Sequence, residues 1–197
     1  MLRKLYLLII VMSCLHVNAQ TNDSVFSATT LFAIILLNAD NNQSGYLLKT
    51  ASEKPCVYIF LSPECPLCKN YAVTLNNLHR QFKDEVRFYG IIPGNAYSSK
   101  EIKAFASNYQ INFPLLTDSN KILSNYLQAS ITPQVILLDK KQHLLYKGAI
   151  DNWAVSLGKQ RLQPTQFYLK DALEKSLQNE LITIKRTKAV GCKINDF

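Results

Sequence analysis

Two of the five cysteines, Cys65 and Cys68, are separated by only two residues, in Phe60-Leu-Ser-Pro-Glu-Cys-Pro-Leu-Cys-Lys69. A thiolate is the attacking species in disulfide exchange, and two intervening residues let a second thiol reach back to release a mixed disulfide. That chemistry needs one cysteine to act as an exposed attacking thiol and the other as a shielded resolving thiol. Cys65 and Cys68 fit those roles in that order. The same spacing also occurs in half zinc sites, in haem attachment and in inert structural disulfides. Zinc wants a second pair of ligands at similar spacing, and the chain has none. Haem attachment wants histidine after the second cysteine, where Lys69 stands. An inert disulfide stays open.

A reactive pair must be positioned by its surroundings. Cys56 to Leu61 is a continuous apolar, aromatic and β-branched run, which predicts a buried central strand leading into the motif. After Pro66, Tyr71, Leu75, Leu78 and Phe82 share one helical face. Cys65 then lies at the start of a helix, where free backbone N–H groups and the helix dipole favour a negative sulfur. Pro66 suits the first helical position, because its missing N–H would have had no helical partner.

Further along, residues 86–92 predict a strand, and Ser98 opens a helix carrying Ile102, Phe105 and Tyr109. Residues 120–127 predict another helix. Thr132-Pro133 leads into a strand over 134–138, and 143–148 returns as its hairpin partner. A last helix is expected over 165–177. Before all of these, residues 20–54 form a lead-in with a dense turn signal at 40–45. Two strands about that turn is the preferred reading, with a short helix over 28–39 as the alternative. The order of elements is α/β in class.

The first nineteen residues read as a leader rather than as fold. Arg3 and Lys4 precede an apolar run from Leu5 to Met12, and Val17-Asn18-Ala19 supplies a cleavage site. The run is shorter than the roughly 20 residues that span a bilayer. A secretory signal over 1–19 is therefore expected, with lipidation of Cys14 and hence a membrane anchor as the alternative. Export to an oxidising compartment permits disulfides and makes a redox pair useful. The formal charge of +8 includes Arg3 and Lys4. The remaining cations are scattered, so nucleic acid is not an expected partner.

Taken together, Phe60 to Cys68, Thr132-Pro-Gln-Val-Ile-Leu-Leu-Asp139 and Tyr146-Lys-Gly-Ala-Ile-Asp151 resemble the redoxin (AhpC/TSA-like) branch of the thioredoxin superfamily. The tail, Tyr168 to Leu173 and Gly191-Cys-Lys-Ile194, is similar to redoxin-like chains ending in a Gly-Cys-x-Ile motif. The resemblance implies a thioredoxin-like fold over residues 55–197. A central mixed sheet would be flanked by helices, with an N-terminal extension and a C-terminal helix plus tail. It also implies a cis peptide bond at Pro133, with Thr132 and Pro133 binding the backbone of a cysteine-bearing substrate beside Pro66. The activity implied is thiol–disulfide exchange through Cys65 and Cys68. Its partners would be a cysteine-containing protein and a dithiol protein that donates or accepts electrons. No cofactor and no metal are expected.

The chain departs from that pattern in places. Ile59 stands where thioredoxin has a buried acid, and Glu64 where it has tryptophan. Ser62 matches the hydroxyl position of the peroxidase motif, but Tyr58 replaces its proline, so a thiol peroxidase is an alternative activity. A copper-binding or scaffold module is another; copper chaperones of this fold pair CxxxC with a distant histidine, whereas the spacing here is CxxC, and His79 and His143 read as surface residues. Cys56 reads as a core residue. Cys192 reads as a third redox thiol, a disulfide partner of Cys56, or a free surface thiol. Asp151 and Trp153 either line the site or cover a surface.

Overall fold

The computed structural model describes residues 26–27, 30–31, 34–38, 46–47 and 54–194. The leader over 1–19, Cys14 and most of the 20–54 lead-in lie outside those residues.

The expected central strand is β3 (Cys56–Phe60), buried at every position. A strand buried on both faces must be covered on both sides, and β3 is. Val57, Ile59 and Leu61 enter one apolar cluster, while Cys56, Tyr58 and Phe60 enter the other. The alternation follows from the two-residue period of a strand. Parallel to β3 runs β4 (Arg87–Pro93), with Val57 opposite Phe88. Antiparallel on its other side runs β7 (Gln134–Leu138), with Ile59 opposite Val135. Beyond β4 lies β5 (Leu115–Asp118), and beyond β7 lies its hairpin partner β8 (Leu144–Gly148).

Two short N-terminal strands, β1 (Ile35–Asn38) and β2 (Tyr46–Leu47), are antiparallel, as the turn reading predicts. They do not stand apart from the sheet. β1 pairs with β5, making a seven-stranded mixed sheet in the order β2-β1-β5-β4-β3-β7-β8.

Helix α1 (Pro66–Phe82) turns Leu67, Tyr71, Leu75 and Phe82 onto the first cluster. Helix α2 (Ser99–Asn108) adds Ile102 and Phe105 to that face, and α4 (Tyr168–Leu177) adds Leu169 and Leu173. Helix α3 (Ile122–Tyr126) belongs to the opposite face through Leu123. The sheet thus has helices on both sides.

Two helices are shorter than their periodicity suggests. α3 begins at Ile122 because the buried Asp118 carboxylate accepts from the amides of Leu123 (3.2 Å) and Ser124 (2.8 Å). α4 begins at Tyr168 because the amides of Thr165 (2.8 Å) and Gln166 (3.2 Å) go instead to Asn152 Oδ1. Past α3, Lys147 Nζ donates to the carbonyls of Leu127 (3.0 Å) and Gln128 (2.6 Å). Free carbonyls at a helix end commonly take such a cation, and here the ammonium ties β8 to the segment entering the Pro133 loop.

Two small ladders complete the architecture. One is the hairpin β9 (Ala154–Ser156) with β10 (Lys159–Gln160). The other joins β6 (Ile131–Thr132), just before Pro133, to the tail strand β11 (Cys192–Lys193). Among the described residues no helix is long and apolar enough to cross a membrane.

Candidate active site

β3 delivers the chain through Leu61 and a short turn to Cys65, which is the N-cap of α1. Its backbone is extended (φ −70°, ψ 116°), and Pro66 occupies the first turn after it. Cys68 sits in the first turn of the helix. Its sulfur accepts from the Ser62 amide at 3.4 Å. The Thr132–Pro133 bond between β6 and β7 is cis, as the resemblance implied. The carbonyl of Thr132 lies 3.1 Å from Cys65 Sγ. Two distant segments, the 60–68 turn and the 131–134 loop, thus meet at one sulfur.

A third segment meets them. Antiparallel pairing of β11 with β6 sets Cys192 opposite Thr132. Thr132 Oγ1 donates to the Cys192 carbonyl at 3.4 Å, and the sulfurs of Cys192 and Cys65 lie 2.8 Å apart. Three thiols therefore share one site.

Their acidities differ by design of place. The Cys65 thiol is pulled down to about 5, chiefly by the hydrogen bond it receives from Cys68, with Cys192 and the backbone amides of both residues adding to it; burial opposes. Cys68 is pushed well above the ordinary thiol range by burial, and by the negative charge on Cys65. Burial and the neighbouring Cys65 push Cys192 up to about 12. Cys65 is thus the most acidic of the three, its anionic form favoured by the two neighbouring thiols through charge-assisted hydrogen bonds, while its protonated form donates to the Thr132 carbonyl.

One expectation is overturned. Cys65 is not exposed: it is 1% accessible, and Cys68 is 0%. The tail strand and the Thr132 carbonyl close over the position that the motif alone would leave open. Pro66, by contrast, is exposed beside it. Cys56 takes no part in the cluster. Its side chain lies in the core on the opposite face of the sheet, where burial pushes its thiol up to about 12. A bond between Cys56 and Cys192 is excluded by that separation.

Ser62 Oγ is paired with the Tyr97 hydroxyl at 2.8 Å. His79 Nδ1 is bonded to Asn112 Oδ1 (2.9 Å), and His143 Nδ1 to Asp139 Oδ2 (2.8 Å), with neither near the cysteines. Among the described residues no group of three or more His, Cys, Asp or Glu side chains is placed to hold a metal ion. Ile59 is fully buried in the core.

A support not foreseen from the sequence lies behind α1. Tyr71 donates to the buried Asp151 carboxylate at 2.6 Å, which also accepts from the Trp153 amide at 2.8 Å. The Trp153 ring meets Tyr71 edge-on, with centroids 5.4 Å apart. This loop fixes the helix carrying Cys68. The sequence singles out Asp151 and Trp153 as site lining or surface cover, but nothing in it shows their contact with Tyr71.

Residues 31–147, which span β1 through most of β8, match the model of the AhpC/TSA family. The chain belongs to the AhpC/TSA family. The match takes in Cys65, Cys68 and the Thr132–Pro133 loop, and stops short of the tail. This AhpC/TSA-family chain is 27% identical over 95 residues to the thioredoxin-like protein YneN of Bacillus subtilis, covering 48% of the chain and 55% of that relative. The match thus spans little more than half the relative's length. Its fold is also that of an uncharacterized conserved protein from Geobacillus kaustophilus (TM-score 0.70, 22% identity, 82% of this chain and 87% of that one). A secreted Mycobacterium tuberculosis disulfide oxidoreductase homologous to E. coli DsbE shares it too (TM-score 0.55, 18% identity, 78% and 99%). The family and the thioredoxin-like fold are thereby established for this chain.

Proposed function

We propose that this AhpC/TSA-family chain is an exported thiol–disulfide oxidoreductase acting through Cys65 and Cys68. The observation that carries the reading is the Cys65 sulfur at the N-cap of α1, 3.1 Å from the Thr132 carbonyl beside the cis Thr132–Pro133 bond, with its pKa drawn down chiefly by the Cys68 thiol. Cys65 attacks one sulfur of a partner disulfide, forming a mixed disulfide, and the partner's other sulfur leaves as a thiolate that takes a proton. Cys68 then gives up its proton and attacks Cys65 Sγ. The partner's second sulfur leaves as a thiol, and two electrons have passed from the Cys65–Cys68 dithiol to the partner. Run backwards, the same steps oxidise a dithiol. No cofactor is required by this scheme, only a second dithiol or disulfide protein to restore the pair.

The export reading is supported by the leader pattern over residues 1–19, and the related fold of a protein described as secreted is consistent with it. We infer a periplasmic location after cleavage behind Ala19.

The test is capture of partners. A Cys68→Ser,Cys192→Ser variant leaves no neighbouring thiol to release an adduct at Cys65. It is expected to accumulate disulfide-linked proteins that dissociate on reduction. The same variant with Cys65→Ser added serves as control. Equal capture by the two would sink the assignment.

A further inference from the structure

The tail strand β11 occupies an edge that an incoming partner strand would need. Extended segments recognise sheet edges through main-chain hydrogen bonds. Here the edge residues Ile131 and Thr132 already have such a companion in Lys193 and Cys192. Strand β11 carries its own cysteine, at the register position opposite Thr132, with its sulfur against Cys65.

The approach is built into the sequence. A Cβ added at Gly191 would overlap the Thr132 carbonyl oxygen and lie 2.7 Å from its carbon. Only glycine lets the tail come this close. The 2.8 Å between the sulfurs is longer than the ~2.05 Å of a disulfide bond and short enough that bonding needs little travel. Cys192 is partly exposed, whereas Cys65 and Cys68 are both buried.

We propose that Cys192 is a third redox thiol: seated on Thr132 like a substrate strand, it resolves mixed disulfides at Cys65 and forms a Cys65–Cys192 disulfide. This rests on the exchange activity proposed above. A mixed disulfide Cys65–S–S–R is attacked at Cys65 Sγ by Cys192, which loses its proton. R leaves as a thiol, and the protein carries the new disulfide. The oxidised Cys65–Cys68 form reaches the same product by isomerisation: Cys192 bonds to Cys65, and Cys68 leaves and takes up the proton. In the reduced protein the strand shields Cys65, and a partner gains the edge by displacing a ladder of two residues.

Glutathione disulfide is the probe. The full-length Cys68→Ser variant, treated with it and then alkylated and mapped by mass spectrometry, is expected to yield a Cys65–Cys192 peptide and little glutathione on Cys65. Cys68→Ser,Cys192→Ser is expected to hold at least about tenfold more glutathione at Cys65, since neither resolving thiol remains. Gly191→Ala in the Cys68→Ser chain keeps every other thiol but pushes β11 off Thr132, and should raise the adduct toward the level of the double variant. Equal adduct in Cys68→Ser and the double variant, with no Cys65–Cys192 peptide, would overturn the role of Cys192. No rise with Gly191→Ala would refute the docking of the tail as its basis. If the double variant takes no glutathione at Cys65, the exchange reading itself fails, and the two failures are thus told apart.

Discussion

The lowered pKa of Cys65 sets how its reactivity depends on pH. With its pKa near 5, Cys65 is about 75% thiolate at pH 5.5 and nearly fully so at pH 8; an ordinary thiol near 8.5 goes from ~0.1% to ~25%. Nucleophilicity falls with pKa, by a Brønsted slope of about 0.4–0.5, so each Cys65 thiolate is roughly 30-fold less reactive than an ordinary one. Absolute rates at pH 7 therefore say little, because greater abundance offsets weaker attack. The pH dependence is diagnostic, and limited access to Cys65 cancels from it. Alkylation of reduced protein by iodoacetamide, with the Cys65 peptide quantified by mass spectrometry, should slow less than about twofold from pH 8 to pH 5.5, against ~200-fold for an ordinary thiol. Replacing the main donor by Cys68→Ala should restore a dependence. If half the displacement is lost, the pKa moves near 7 and the rate falls about 30-fold over the same interval. A wild-type rate that drops more than 100-fold would refute the thiolate, and a profile still flat in Cys68→Ala would refute Cys68 as its principal support.

The same ionisation should appear in stability. A thiol whose folded pKa is depressed adds stability that is fully present above its unfolded value, about 8.5, and is lost as pH falls through the folded value near 5. The difference in unfolding free energy between reduced wild type and Cys65→Ser should therefore grow between pH 5 and pH 8. A pH-independent difference by urea unfolding would contradict it. Tyr71→Phe removes the 2.6 Å hydrogen bond to buried Asp151 and should cost about 1–3 kcal/mol, read as a lower denaturant midpoint. An unchanged midpoint would mean the Trp153 loop does not brace α1. Gly148→Ala sets a Cβ 2.5 Å from the Thr187 carbonyl oxygen and should destabilise by about 1–3 kcal/mol. A calorimetric melting temperature equal to wild type would show that the Thr187 segment shifts at no cost.

Much of the fold is legible in the sequence because its central parts carry strong local signals. The apolar run of β3, the one-sided spacing of α1 and the turn between β7 and β8 each declare their element within a few residues. What escapes is non-local. Nothing within 35–38 or 46–47 says that β1 will lie against β5 rather than stand apart, since that pairing is chosen by the edge it finds. The β6–β11 ladder has two residues on each side, too short for any periodicity, and its clue is a lone Gly191-Cys192. Burial of Cys65 follows from that ladder, so the motif by itself suggests the opposite. Asp151 and Tyr71 are far apart in the chain, and a carboxylate in a loop gives no sign that it will be buried and bonded.

The Cys65–Cys192 contact joins positions 127 apart in the chain. Cross-links act mainly on the unfolded chain, and their effect grows with the loop they close. A bond between Cys65 and Cys68 closes a very short loop and removes only about 2 kcal/mol of chain entropy on the loop-closure model. One between Cys65 and Cys192 would tie most of the domain into a ring, removing chain entropy worth about 4–5 kcal/mol on the loop-closure model. The two oxidised isomers hold the same number of electrons yet differ in resistance to unfolding. Which sulfur pairs with Cys65 would thus be recorded in how firmly the whole molecule holds together.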